Sequence, residues 1–130
     1  MAEESEFVVD ASFVLAYLLP DEKAGLTDEF FGRYANGEIK LVSCPLLPFE
    51  VLNGLRAAVL KKRLGAEVAE KLGQAFLALE IELEPIDFAD CFTLALNKKL
   101  SVYDASYLLL GQEKKAKLLT QDENLKRLCS

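Results

Sequence analysis

The sequence predicts an α/β domain: a central parallel sheet of four to five short strands, flanked by helices on both faces. Short apolar runs alternate with stretches of helical periodicity along all 130 residues, the pattern of strands joined by crossover helices. No internal repeat, low-complexity segment or linker interrupts that alternation, so residues 1–130 are expected to form one domain. With 52% hydrophobic residues, the chain carries enough apolar material for one ordinary core.

Each element has its own signal. Glu6 to Asp10 is a short apolar run that suits a buried first strand. A helical stretch from Ala11 to Leu19 follows and is stopped by Pro20, which cannot continue a helix. A second helix is expected from about Lys23 to Ala35, closed by Asn36-Gly37. Ile39 to Ser43 reads as the second strand. A long helix then runs from about Pro45 to Lys62, and a partner helix from Ala66 to Leu79 after Gly65. Ile81 to Glu84 alternates apolar and acidic residues, as an edge strand does, and Pro85 ends it. Asp87 is placed to cap a helix to about Lys99, and Ser101-Val102-Tyr103-Asp104 has the form of a capping box leading into a helix to Glu113. Lys117 to Thr120 is the last strand, and a short helix runs from Asp122 to Leu128.

Composition narrows the chemistry. The chain has no histidine, which removes Ser–His–Asp and Cys–His catalysis, histidine general bases and histidine-ligated zinc. Cys44, Cys91 and Cys129 are odd in number, far apart and without CxxC spacing, so they read as free thiols of a reducing compartment. The acidic start does not resemble a secretory signal, and the longest apolar stretch, Phe13 to Leu19, is far below the ~20 residues that span a bilayer. A cytoplasmic protein without membrane association is the expectation. The glycines give neither GxGxxG nor a P-loop. An aspartyl-nucleophile phosphatase wants a second acid two residues on, but Asp10 is followed by Ala11 and Ser12. The net charge of −6 counts against a broad nucleic-acid coat. Acid–base or metal chemistry must therefore rest mainly on carboxylates.

Four carboxylates stand out. In a parallel sheet, strand C-termini and helix N-termini collect along one edge, where ligands bind. Asp10 follows the first strand, Asp122 follows the last, and Asp104 lies in the first turn of its helix, so all three are expected on that edge. Glu50 sits on the long helix opposite the arc of Val51, Leu52, Leu55, Ala58 and Val59, sharing its face with Asn53, Gly54 and Ala57. A lone acid above small residues suggests a crevice with room for a ligand. Taken singly, each Asp is explained as well or better by helix capping, and Glu50 by partial exposure. Together, four carboxylates repel, about 4 kcal/mol for a pair at ~4 Å and an effective dielectric near 20, and such a cluster is tolerated when a cation or protons occupy it. All-oxygen ligands favour Mg²⁺ or Mn²⁺ over zinc. Ser12 and Thr120 place hydroxyls beside two of the acids, to orient a carboxylate or a metal-bound water; local capping explains them too.

These stretches resemble the PIN-domain ribonucleases, in particular the small VapC-type toxin group. The matching segments are Val8-Val9-Asp10-Ala11-Ser12, Pro48 to Leu55 around Glu50, the block Leu100 to Leu108 around Asp104, and Leu118 to Asp122. They span nearly the whole chain in the family's order, and the block around Asp104 is the most specific. The family's acidic positions fall on Asp10, Glu50, Asp104 and Asp122, and its hydroxyl positions on Ser12 and Thr120. The resemblance implies a PIN-like nuclease domain and a Mg²⁺- or Mn²⁺-dependent endoribonuclease. It also implies an RNA substrate, a homodimer and a small antitoxin partner.

Alternatives remain at this stage: an RNA-processing nuclease outside any toxin system, a non-catalytic module on the same fold, and a phosphoacceptor domain. The last needs a Lys after a late strand, where this chain has Thr120-Gln121-Asp122. The basic groups Lys61 to Arg63, Lys98-Lys99, Lys114 to Lys117 and Lys126-Arg127 lie at helix C-terminal ends, where cations complement the helix dipole. Arg33, Lys40, Arg56 or a second subunit are the favoured phosphate contacts. Phe49, Leu60, Phe30, Phe31 and Tyr34 are surplus apolar groups, either second-layer core or partner surface.

Overall fold

The computed structural model describes residues 5–22 and 25–129. Its strands are β1 (Glu6–Val9), β2 (Lys40–Ser43), β3 (Glu82–Leu83) and β4 (Lys117–Leu119). The helices are α1 (Ala11–Leu18), α2 (Gly25–Ala35), α3 (Leu47–Leu60), α4 (Ala66–Ala78), α5 (Phe88–Lys98), α6 (Val102–Lys114) and α7 (Glu123–Cys129). The start expected for the second helix at Lys23 lies outside the described residues, as do residues 1–4 of the acidic N-terminal stretch. Every strand pair is parallel, in the order β3-β2-β1-β4. Successive residues Phe7, Val8 and Val9 of β1 are all buried. Side chains alternate between faces along a strand, so both faces of the sheet are covered. The expected edge strand is only two residues long and exposed.

The strand order has a functional consequence. From β1 the chain proceeds to β2 and β3 on one side, then returns past β1 to place β4 on the other. The C-terminal ends of β1 and β4 therefore flank a topological switch point, where the following loops diverge and leave a crevice.

Packing fixes the first helix firmly there. Phe13 is 1% exposed and sits edge-on to Phe30 (5.9 Å) and stacked with Phe31 (6.0 Å). Phe30 also meets Phe7 edge-on, and Tyr17 stacks on Phe31 at 4.1 Å. The Tyr34 hydroxyl donates to the Leu79 carbonyl at 2.7 Å. The aromatic surplus of α2 thus belongs to the core, whereas Phe49 and Leu60 are exposed.

Glycine at 54 has a different reason from the one its sequence position suggested. A Cβ there would lie 2.4 Å from Leu15 Cδ1, so the missing side chain lets α1 cross closely over α3. The space is filled by Leu15 and is not part of a crevice.

Candidate active site

The structure collects the four acids for one local reason: each caps a helix or lies in its first turn. Asp10 is the N-cap of α1 and accepts from the Phe13 backbone N–H at 3.0 Å. Asp122 accepts from the Leu125 N–H at 2.9 Å at the start of α7. Asp104 lies in the first turn of α6, where its N–H donates to the capping Ser101 hydroxyl at 3.0 Å. Glu50 lies in the first turn of α3, directly after β2. The capping interactions expected from sequence are therefore real for Asp10, Asp122 and the Ser101–Asp104 pair, and they coexist with convergence.

Asp10 is the most constrained. It is 4% exposed, with Oδ1 accepting from the Ser12 hydroxyl at 2.7 Å and Oδ2 from the Thr120 hydroxyl. Ser12 Oγ also accepts from the Gln121 N–H at 2.8 Å, and Thr120 Oγ1 from the Asp122 N–H at 3.0 Å. Ser12 and Thr120 thus tie the end of β1 to the loop after β4 across the switch point. Burial pushes the Asp10 carboxyl above its ordinary range, against the downward pull of Thr120, Ser12 and the Phe13 N–H; the charge of Asp122 adds to the rise.

Asp104 reports the convergence. Burial raises its carboxyl most, followed by the charges of Asp122, Glu50 and Asp10, with the Ser101 hydrogen bond opposing. One carboxylate feeling the other three places all four within electrostatic reach. Among the described residues, no three acids or thiols already stand as a cage ready to ligate one ion.

Tyr107 was not singled out from sequence. Its ring is 1% exposed, and its hydroxyl donates to Glu50 Oε1 at 2.6 Å. Burial and the Glu50 carboxylate drive the phenol's pKa strongly upward, so it remains a donor. The pair is 57 residues apart in sequence. Only its place one helical turn after Asp104 hinted that Tyr107 faces the same region.

The basic clusters behave as dipole complements and ion-pair partners. Arg63 binds Asp21 (2.8 Å) and Glu22 (2.5 Å), and Lys114 binds Glu84 (2.9 Å) and Glu6 (3.4 Å). Two of the favoured phosphate contacts are also engaged. Arg33 faces Glu38 at 3.8 Å, and Lys40 faces Glu82 at 3.2 Å from the N-terminal end of β2, the edge away from the acids. Cys44, Cys91 and Cys129 are free thiols. Among the described residues, no helix is long and apolar enough to cross a membrane.

Comparison with known proteins agrees with this architecture. The sequence model of the PIN domain family matches residues 7–130. The chain is 32% identical over 124 residues to ribonuclease VapC3 of Pyrobaculum aerophilum, covering 92% of each. It is 31% identical over 118 residues to ribonuclease VapC9 of Mycobacterium tuberculosis, covering 91% of this chain and 87% of that one. In three dimensions it matches the crystal structure of PAE2754 from Pyrobaculum aerophilum with a TM-score of 0.75 at 23% identity, over 93% and 82% of the two chains. It also matches VapC20 of Mycobacterium tuberculosis, a sarcin–ricin loop cleaving toxin, with a TM-score of 0.61 at 16% identity over 94% of both. The two structural matches bear on the fold, whereas the family match and the sequence relatives bear on descent. This chain belongs to the PIN-domain family, in its VapC-type group.

Proposed function

We propose that this protein is a divalent-metal-dependent endoribonuclease, acting as the toxin of a toxin–antitoxin pair in the cytoplasm. The observation that carries this reading is the convergence of Asp10, Glu50, Asp104 and Asp122, each a cap or first-turn residue of its helix, at one edge of the sheet. A cluster of carboxylates within electrostatic reach of one another is suited to a cation. Its donors are all oxygen, and it has no histidine to offer a softer metal. Mg²⁺ keeps several waters and needs only one or two direct carboxylates, which agrees with acids that converge without a closed cage. Asp10, Glu50, Asp104 and Asp122 would hold the ion, directly or through water.

A bound Mg²⁺ or Mn²⁺ supplies charge for the scissile phosphate and lowers the pKa of a water. The chain's own residues do the rest. Ser12 and Thr120 fix both Asp10 oxygens, leaving its remaining lone pair aimed by the network. Tyr107 holds the Glu50 carboxylate over the same edge. Replacing Tyr107 by Phe should therefore weaken Mn²⁺ binding, measured calorimetrically, by about 10- to 100-fold. Thermal stability should change little, because Glu50 remains partly in solvent.

Support for partners comes from two surfaces. The outer face of α5 carries Phe88, Phe92 and Leu96, exposed at successive helical turns while Cys91 and Ala95 pack on α6; this face suits a homodimer. An open apolar groove between α3 and α4, lined by Leu52, Val59, Leu60 and Leu77, suits an amphipathic antitoxin segment.

The test is cleavage of a structured RNA in Mg²⁺ and in EDTA, paired with induced expression in a host strain. The expected result is metal-dependent cleavage and growth arrest relieved by the small protein encoded beside it. Cleavage without growth arrest would leave an RNA-processing nuclease. Metal binding without cleavage would leave a non-catalytic module.

A further inference from the structure

The sheet has two edges, and they are finished differently. At β3 the edge strand is two residues long and exposed, and its acids are tied down. Glu82 pairs with Lys40 at 3.2 Å, and Glu84, just beyond the strand, with Lys114 at 2.9 Å. Brevity and charge of this kind keep an edge from pairing further. At β4 an open groove of about 370 Å³ runs along the strand instead. Its lining takes in the four consecutive residues Lys117 to Thr120, with Leu26 and Phe30 of α2 and Lys126 of α7.

Successive side chains of a strand point to opposite faces, so a groove that touches four in a row lies on the strand's open edge. The neighbours identify the two faces. Phe7 meets Phe30 of α2. Leu118 is in register with Val8, on the opposite face from Phe7, and packs toward Gly111 of α6, where a Cβ would lie 3.8 Å from it. α7 packs against α6 and β4. The groove is thus walled by α2 on one side and α7 on the other, with the β4 backbone as its floor.

Three observations define what fits there. The Asp10 N–H donates to the Leu119 carbonyl at 3.2 Å, so residue 119 directs its backbone groups at β1. Those groups alternate sides along a strand, which turns the N–H and C=O of Leu118 into the groove. The second observation is charge. The chain carries 21 acids against 15 bases, yet the lining holds two lysines and no carboxylate. Among the described residues Lys117 makes no ion pair, and Lys126 has only Glu123, one turn back at 3.4 Å. The third is apolar surface: Leu26 is 54% exposed and Phe30 is half-buried at the same wall.

We propose that the open edge of β4 is a docking site for an extended, acidic segment of a partner protein, which adds a fifth strand to the sheet. Its backbone pairs with Leu118, its apolar side chains lie on Leu26 and Phe30, and its carboxylates meet Lys117 and Lys126. A second copy of this chain is a poor occupant. Edge-to-edge pairing about a two-fold axis would bring two lysines from each copy into one seam. RNA would satisfy the lysines but not the outward peptide group of Leu118. The lining ends at Thr120, whose hydroxyl donates to Asp10, so the seated strand reaches the margin of the acid site. The assignment does not depend on the nuclease reading.

The experiment uses the full chain, isotope-labelled, and as probe a peptide of about eight residues alternating valine and glutamate. Calorimetry is expected to show this peptide binding at least about tenfold tighter than a valine–lysine peptide of equal length. Hydrogen exchange followed by NMR should slow at least about tenfold at the Leu118 amide on saturation, with β3 unchanged. Lys117→Glu combined with Lys126→Glu should weaken the peptide about tenfold at unchanged Tm, and Lys117→Arg with Lys126→Arg should retain it. No binding of the acidic peptide, equal affinity for the basic one, or binding that leaves Leu118 exchange unchanged would overturn the proposal. Two other results overturn it by assigning the groove elsewhere. One is an oligouridylate that binds wild type in EDTA, and not the glutamate variant, where the peptide does not bind at all. The other is a dimer in sedimentation that the glutamate variant dissolves, which would make the edge a contact between copies.

Discussion

Asp10→Asn is expected to stabilise the metal-free protein while lowering its RNA cleavage rate at least about 100-fold. The two effects have one cause. Asp10 is 4% exposed, and burial raises its carboxyl pKa despite three hydrogen bonds to it. For an acid whose folded pKa is raised, the ionised form is disfavoured by folding. Stability then falls as pH rises from the ordinary value of 3.8 through the raised value, and at neutral pH the whole penalty is present. Asparagine keeps an acceptor for the Phe13 N–H and the Ser12 hydroxyl, and its amide can donate to Thr120 Oγ1. The penalty is removed and the packing kept. Scanning calorimetry in EDTA at pH 7 should show a higher Tm for the variant, by about 4 °C for each ~1 kcal/mol relieved, with the difference shrinking toward pH 4. In saturating Mg²⁺ the wild type should gain Tm through binding to the folded state, and the variant should gain much less. A variant less stable than wild type in EDTA would show that Asp10 serves the fold as a cap more than it serves a cation.

The largest loss of stability is expected from Phe13→Ala. Phe13 lies on the buried face of α1, is 1% exposed, and contacts Phe30 and Phe31 at ring distances of 5.9 and 6.0 Å. Truncating it removes a fully buried aromatic ring and leaves a cavity between α1 and α2, at a cost of about 3–5 kcal/mol. That is a large part of the 5–15 kcal/mol available to an ordinary domain. Urea unfolding should show a lower midpoint with an unchanged slope. Cleavage activity measured well below the reduced Tm should be largely retained, because Asp10, Ser12 and Thr120 are bound to one another and not to the ring.

Much of this fold was legible because its signals are local. Proline at 20, the Asp87 and Ser101 caps and the apolar β1 run each act within a few residues, and the elements begin and end close to where those signals place them. The meeting of the four proposed acids was legible only in part for that reason: Asp10 and Asp122 cap the helices that directly follow β1 and β4, whereas Asp104 lies in the first turn of a helix that follows α5, and Glu50 in the first turn of α3. What the sequence could not reveal is long-range. The reversal that puts β4 beside β1, and so makes their ends a crevice, depends on strand order. Tyr107 finds Glu50 across 57 residues, and Arg63 finds Asp21 across 42. Gly54 was misread because its partner, Leu15, lies on another helix. Arg33 and Lys40 looked available for phosphate until their acidic partners were in view. The absence of histidine and the net charge of −6 gained meaning in the same way. Four of the negative charges are now placed at one proposed site, so the acidity is no argument against an RNA substrate.

The most direct measurement is a crystal structure of the protein with Mn²⁺, the ion located by its anomalous scattering. The account predicts Mn²⁺ at the carboxyl ends of β1 and β4, contacted directly or through water by Asp10, Glu50, Asp104 and Asp122, and absent from Asp10→Asn crystals treated alike. Mn²⁺ bound elsewhere with these four acids free, or equal occupancy in the Asp10→Asn protein, would contradict it.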